Sequence, residues 1–71
     1  MNLIQDLENM QRHESFARIV REIEEMREDS LKELAGAETH MLQQIAGKVV
    51  AYDDILVLLG AKTLRKRFPN I

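Results

Sequence analysis

The sequence predicts an all-α fold: an antiparallel helical hairpin with a short N-terminal arm and a basic C-terminal tail, completed by oligomerisation into a helix bundle. Three observations predict it. Apolar residues recur every three or four positions through two stretches of roughly twenty residues, the period of a helix face. The alternation expected of strands is absent, and the polar positions are filled by good helix formers. Glycines fall at the ends of both stretches, at Gly36 and Gly60.

Residues 1–12 form the expected arm. Leu3, Ile4, Leu7 and Met10 do not continue the face set by Phe16 and Ile23, and at 100° per residue Leu3, Leu7 and Met10 point to the opposite side. Either the chain breaks between Gln11 and Ser15, or one continuous helix offers its far end to a different surface. A short amphipathic arm with its own contact is the reading adopted.

Residues 13–60 form the hairpin. From about Glu14 to Leu34, Phe16, Val20, Ile23, Leu31 and Leu34 share one face, flanked by Ile19 and Met26. The other side carries Arg18, Arg21, Glu22, Glu24, Glu25, Glu28, Asp29 and Lys32, with i,i+4 pairing open to Glu14–Arg18, Arg18–Glu22, Arg21–Glu25 and Glu28–Lys32. Gly36 is expected to end this helix in the left-handed conformation, and Thr39 or a neighbour to cap the next. A connection this short makes the two helices antiparallel neighbours.

The second helix is expected from about Glu38 to Leu59, with a heptad seam of Leu42, Ile45, Val49, Tyr52, Leu56 and Leu59. It also carries a second apolar surface: Ala46, Val50 and Val57, with Gly47, Ala51 and Leu58 beyond them. A helix apolar almost all round is normally buried, and one neighbour cannot cover it. Two hairpins packed through these helices would resolve the mismatch, and so would a larger protein docked on the same surface. Ala46, Gly47, Val50, Ala51, Val57 and Leu58 are therefore the candidate interface, with Leu3, Ile4 and Leu7 as a second contact.

Residues 61–71 carry Lys62, Arg65, Lys66 and Arg67 and no acid, for +4, against −6 in residues 1–60. This basic tail has three readings. It contacts phosphates, as a non-specific nucleic-acid arm does. It docks on an acidic protein surface, with Leu64 and Phe68 as anchors. Or it is a solubilising end that also balances the dipole of the preceding helix.

Composition narrows the classes of function. A chain of 71 residues holds one small domain, and a core of this size rarely supplies more than ~3–5 kcal/mol without a staple. With no cysteine, disulfides and thiolate metal sites are out, and His13 and His40 stand too far apart to suggest a metal-bound fold. No catalytic triad, phosphate loop or His-x-x-x-His pair is present, so no enzyme activity, cofactor, metal or small-molecule substrate is expected. Adjacent Asp53 and Asp54 splay apart on a helix and read as solvated or salt-bridged, with Lys48 one candidate partner. Tyr52 reads as core. Mid-helix Gly47 reads as close approach of a neighbouring helix or, alternatively, as a tolerated surface glycine. No stretch of 18 uncharged apolar residues predicts a membrane span, and Met1–Asp6 lacks the positive start of a signal peptide, so a cytoplasmic protein is expected.

The run Phe16-Ala17-Arg18-Ile19-Val20-Arg21-Glu22-Ile23, then Leu31-Lys32-Glu33-Leu34, then Gln44-Ile45-Ala46-Gly47-Lys48-Val49-Val50-Ala51-Tyr52-Asp53-Asp54-Ile55-Leu56 resembles short helical-hairpin proteins of tailed bacteriophages. The resemblance implies a virion-assembly or accessory role, in the host cytoplasm or the virion, and carries no functional residue with it. Two alternatives stay open. One is a nucleic-acid-associated assembly factor working through the tail. The other is an acidic inhibitor or adaptor of a host protein, using Arg18, Glu22, Glu25, Glu28 and Asp29.

Overall fold

A computed structural model describes residues 2–71; Met1, the first residue of the expected arm, lies outside them. The described residues form four helices: α1 (Leu3–Met10), α2 (Glu14–Gly36), α3 (Thr39–Leu59) and α4 (Ala61–Arg67). The fold is all-α.

Each boundary has a local cause. Asn2 caps α1, its side-chain oxygen accepting from the Gln5 amide at 3.2 Å. The chain breaks at Gln11–Arg12, and His13, with extended backbone, starts α2. Gly36 stays helical and Ala37 ends α2 in an extended conformation, so the expected left-handed glycine is not used there. Thr39 is the first residue of α3 instead of its cap; Glu38 takes the cap position without a side-chain hydrogen bond.

Gly60 is the glycine that matters. Its φ of 73° stops α3 with the amide bonded back to Leu56 and Val57, and the same residue opens α4. An L-residue there would be strained, and its Cβ would collide with the Gln11 side chain. Gln11 is held in that place by donating its side-chain amide to the Leu59 carbonyl at 3.0 Å. The arm is thus fastened at the α3–α4 corner.

Helices α2 and α3 run side by side in opposite directions. Glu33 meets Lys48 at 4.0 Å, and six residues back along α2, Arg27 meets Asp53. Asp53 therefore finds its partner on the other helix, and Lys48 is engaged elsewhere. Along α2, Glu14–Arg18 and Arg21–Glu25 close at 3.3 and 3.8 Å.

The core is lopsided. Phe16, Ala17, Val20, Leu56, Ala61 and Leu64 form one buried cluster, with Leu7, Ile23, Leu59, Phe68 and Ile71 packed against it. All of this lies where α1 and α4 fold back on the hairpin. Toward the 37–38 turn, Ile45 is buried, but Leu31 and Leu42, expected in the core, are exposed. The reason is geometric: at that end only two helices are present to cover each other.

The molecule is accordingly a thin slab of 42 × 30 × 15 Å. Its radius of gyration is 14.3 Å, whereas a compact domain of this length has about 11 Å. A layer one to two helices thick leaves the outer face of α3 in solvent.

Candidate interaction surface

The seam of α3 is covered along most of its length, with Leu42 at its start exposed. Ile45, Val49 and Leu56 are buried, and Tyr52 and Leu59 are half-buried. The opposite face is exposed. Val57 is 81% exposed, Leu58 62% and Val50 60%, and Ala46, Gly47 and Ala51 are exposed beside them. A Cβ placed on Gly47 would have no atom within 4 Å. Nothing inside the chain therefore requires glycine there, although it costs the helix about 1 kcal/mol relative to alanine. Gln43 and Asp54 are the polar residues among these positions, and both are exposed.

The N-terminal candidates divide. Leu3 and Ile4 on α1 are exposed, while Leu7 is half-buried against the core cluster. Leu7 fastens the arm; Leu3 and Ile4 remain free, with exposed Met10 alongside. A third apolar strip needs both long helices. Met26 and Ile55 stand one heptad from the Glu33–Lys48 pair on their respective helices, which puts them on the same side of the hairpin, and both are exposed.

The basic segment is more than a tail. Residues 61–67 form α4, and Ala61 and Leu64 are buried against α2 and α3, with Phe68 and Ile71 packed on the same cluster. Leu64 and Phe68, read from sequence as anchors on another protein, anchor the chain to itself. Two of the four cations are also engaged internally. Arg65 holds Glu24, donating from Nε at 2.8 Å and also from Nη2, and Arg67 donates to the Gln11 carbonyl at 3.1 Å. Lys62 and Lys66, four residues apart, stand in solvent. Three cations in the last turn of α4 also oppose the negative end of its dipole.

Glu24, expected on the solvated side of α2, is instead 7% exposed. It follows Ala17 and Val20 at steps of seven and four, which places it on the stripe that α4 covers. That spacing is the signal that could have found it. A carboxylate in this position is tolerable because the Arg65 guanidinium closes over it while remaining largely in water.

Beside this pair, α2, α3 and α4 leave an open cleft of about 530 Å³. Leu56, Val57 and Ala61 supply its apolar part, and Glu24, Arg27, Asp53 and Arg65 line it as two closed ion pairs. Glu28 and Lys62 complete the charged rim. Among the described residues no group of three His, Cys, Asp or Glu side chains is placed to hold a metal ion. His13 sits at the start of α2 and His40 lies 3.5 Å from Glu38, both exposed. No helix among the described residues is long and apolar enough to cross a membrane.

Fold and surface together define a small all-α protein whose most apolar helix is half uncovered. Compared with known proteins, the chain matches no family model, no curated protein and no solved structure.

Proposed function

We propose that this chain is a non-enzymatic structural or interaction protein that works by docking the outer face of α3 on another protein surface. One observation carries the reading. Val50, Val57 and Leu58 lie away from a seam that is covered from Ile45 to Leu59, and they stay exposed in the folded chain. Exposed apolar surface of this kind on a soluble helix marks an interaction site. The resemblance to hairpin proteins of tailed bacteriophages makes virion assembly, or an accessory role in the infected host cytoplasm, the setting we propose for it.

Support for a phosphate-binding tail is thinner, because Arg65 and Arg67 are engaged within the chain and leave Lys62 and Lys66 as the free pair. An inhibitor acting through the acidic back of α2 has less support again, since Glu14 and Glu25 already pair with Arg18 and Arg21.

A photo-crosslinking residue placed at Leu58, in cells expressing the chain, tests the interaction reading. The expected outcome is a discrete protein adduct, identified by mass spectrometry, that is missing when the same residue replaces Glu22 on the solvated back of α2. Equal yields from both positions, or no adduct at Leu58, would overturn the reading.

A further inference from the structure

Resting on that reading, we infer that the occupant of the outer face of α3 is the same face of a second copy, packed antiparallel with Gly47 against Val57 and Val50 against Asp54. Surface area supports a partner of about this size. The chain exposes 5527 Å², and a compact monomer of 8.2 kDa exposes ~4,500 Å². The excess, about 1,000 Å², compares with the ~800 Å² that each partner contributes to a standard interface. A slab 15 Å thick with the outer face of α3 uncovered thus carries roughly one interface's worth of surplus surface.

The identity and direction of the partner follow from the pattern on the helix. Gly47, Val50, Asp54 and Val57 are spaced three, four and three apart, the repeat of a coiled-coil seam, with Ala51 and Leu58 along one flank. Gly47 and Asp54 occupy one heptad position; Val50 and Val57 occupy the other. In a parallel pair each position meets its own copy. Gly47 would then face Gly47 across a gap, and two Asp54 carboxylates would face each other in an apolar seam. In an antiparallel pair the two positions meet each other. Val57 fills the space left open at Gly47, and each Asp54 faces a valine instead of a like charge.

The register is fixed by the same pairing, since 47 with 57 and 50 with 54 share one midpoint. The small end of the strip receives the large end, twice, as a two-fold axis requires. This self-complementarity gives Gly47 the role that its empty surroundings within the chain deny it. A polar residue within a seam also selects one arrangement at some cost in affinity, a role that falls to Asp54 between Val50 and Val57, while Gln43 precedes the paired stretch.

Absence of native cysteine makes the test clean. Gly47→Cys and Val57→Cys chains, each verified as helical by circular dichroism, are oxidised separately and as a mixture, and light scattering gives the mass of the unaltered chain. The inference expects a dimer, a 47–57 disulfide in the mixture, and little self-linking of either variant alone. Val50→Asp is expected to weaken the dimer by more than about tenfold, as burying an unpaired charge does. Asp54→Ala is expected to tighten it several-fold.

A monomer at millimolar concentration overturns the inference, as does a dimer whose Gly47→Cys variant links to itself. Either result leaves the crosslinking at Leu58 to decide separately whether the face serves some other protein.

Discussion

The two C-terminal helices invert what their compositions suggest. α3 contains a long apolar run and leaves half of its circumference in water, while α4 carries four cations and is pinned to the core. What separates them is the number of neighbours. α4 needs to bury one narrow stripe, Ala61, Leu64 and the following Phe68, and the groove between α2 and α3 supplies cover for it. α3 has two apolar sides and finds cover within the chain for one. Burial follows the geometry of the available partners before it follows hydropathy.

The sharpest way to break this comparison is to truncate one leucine in each helix. Leu64, 4% exposed, should cost ~2–5 kcal/mol on replacement by alanine, comparable with the whole stability of a chain this small. Thermal melting followed by circular dichroism should show its transition lost or moved sharply down. Leu58→Ala should stay within ~0.5 kcal/mol when measured at concentrations too low for association. Comparable losses at the two sites would mean that the outer face of α3 is covered within the chain after all.

Next in size is the Glu24–Arg65 pair. Arg65→Met removes the partner of a buried carboxylate and should cost about 1–3 kcal/mol. The Glu24→Gln, Arg65→Met double mutant should recover part of that loss in chemical denaturation, with a coupling nearer 1 kcal/mol because the guanidinium stays largely solvated. Strict additivity would show that the pair does not hold α4.

The two loop-proximal glycines give the smaller effects, with opposite signs. Gly60→Ala must accept a left-handed backbone and displace Gln11, and should cost about 1–2 kcal/mol. Gly36→Ala meets no atom within 4 Å on an ordinary helical backbone, and should stabilise by about 0.5–1 kcal/mol. Urea titration of both variants distinguishes them, and equal signs would contradict the assigned conformations.

These contrasts also show what local pattern can reveal. The bounds of α2 and α3 were legible to within two residues, because helical periodicity and glycine punctuation act over one or two turns. The exposed outer face of α3 was legible for the same reason: a count of apolar sides exceeded the count of neighbours. The docking of α4 was obscured because its apolar residues are interleaved with four charges that dominate the segment. Glu24 and Arg27 were harder still. Both sit on the core side of α2 and are made tolerable by Arg65 and Asp53, neighbours supplied by distant parts of the chain. Leu31 and Leu42 fit the periodicity of the core but lie toward an end of the hairpin that no third helix reaches.

The short connection at Ala37–Glu38 has a consequence for the order in which the chain folds. Closing a loop this small costs little entropy, so α2 and α3 can begin to pair from their turn, through Glu33 and Lys48, before anything distant has been gathered. The apolar gain lies at the other end. There Glu24 meets a residue 41 positions away, and Gln11 one 48 positions away. The cheap contacts therefore form early and bury little, and the rewarding ones must wait for the two termini to return. On this account Leu64→Ala should speed unfolding far more than it slows folding, the signature of a contact made after the barrier is crossed.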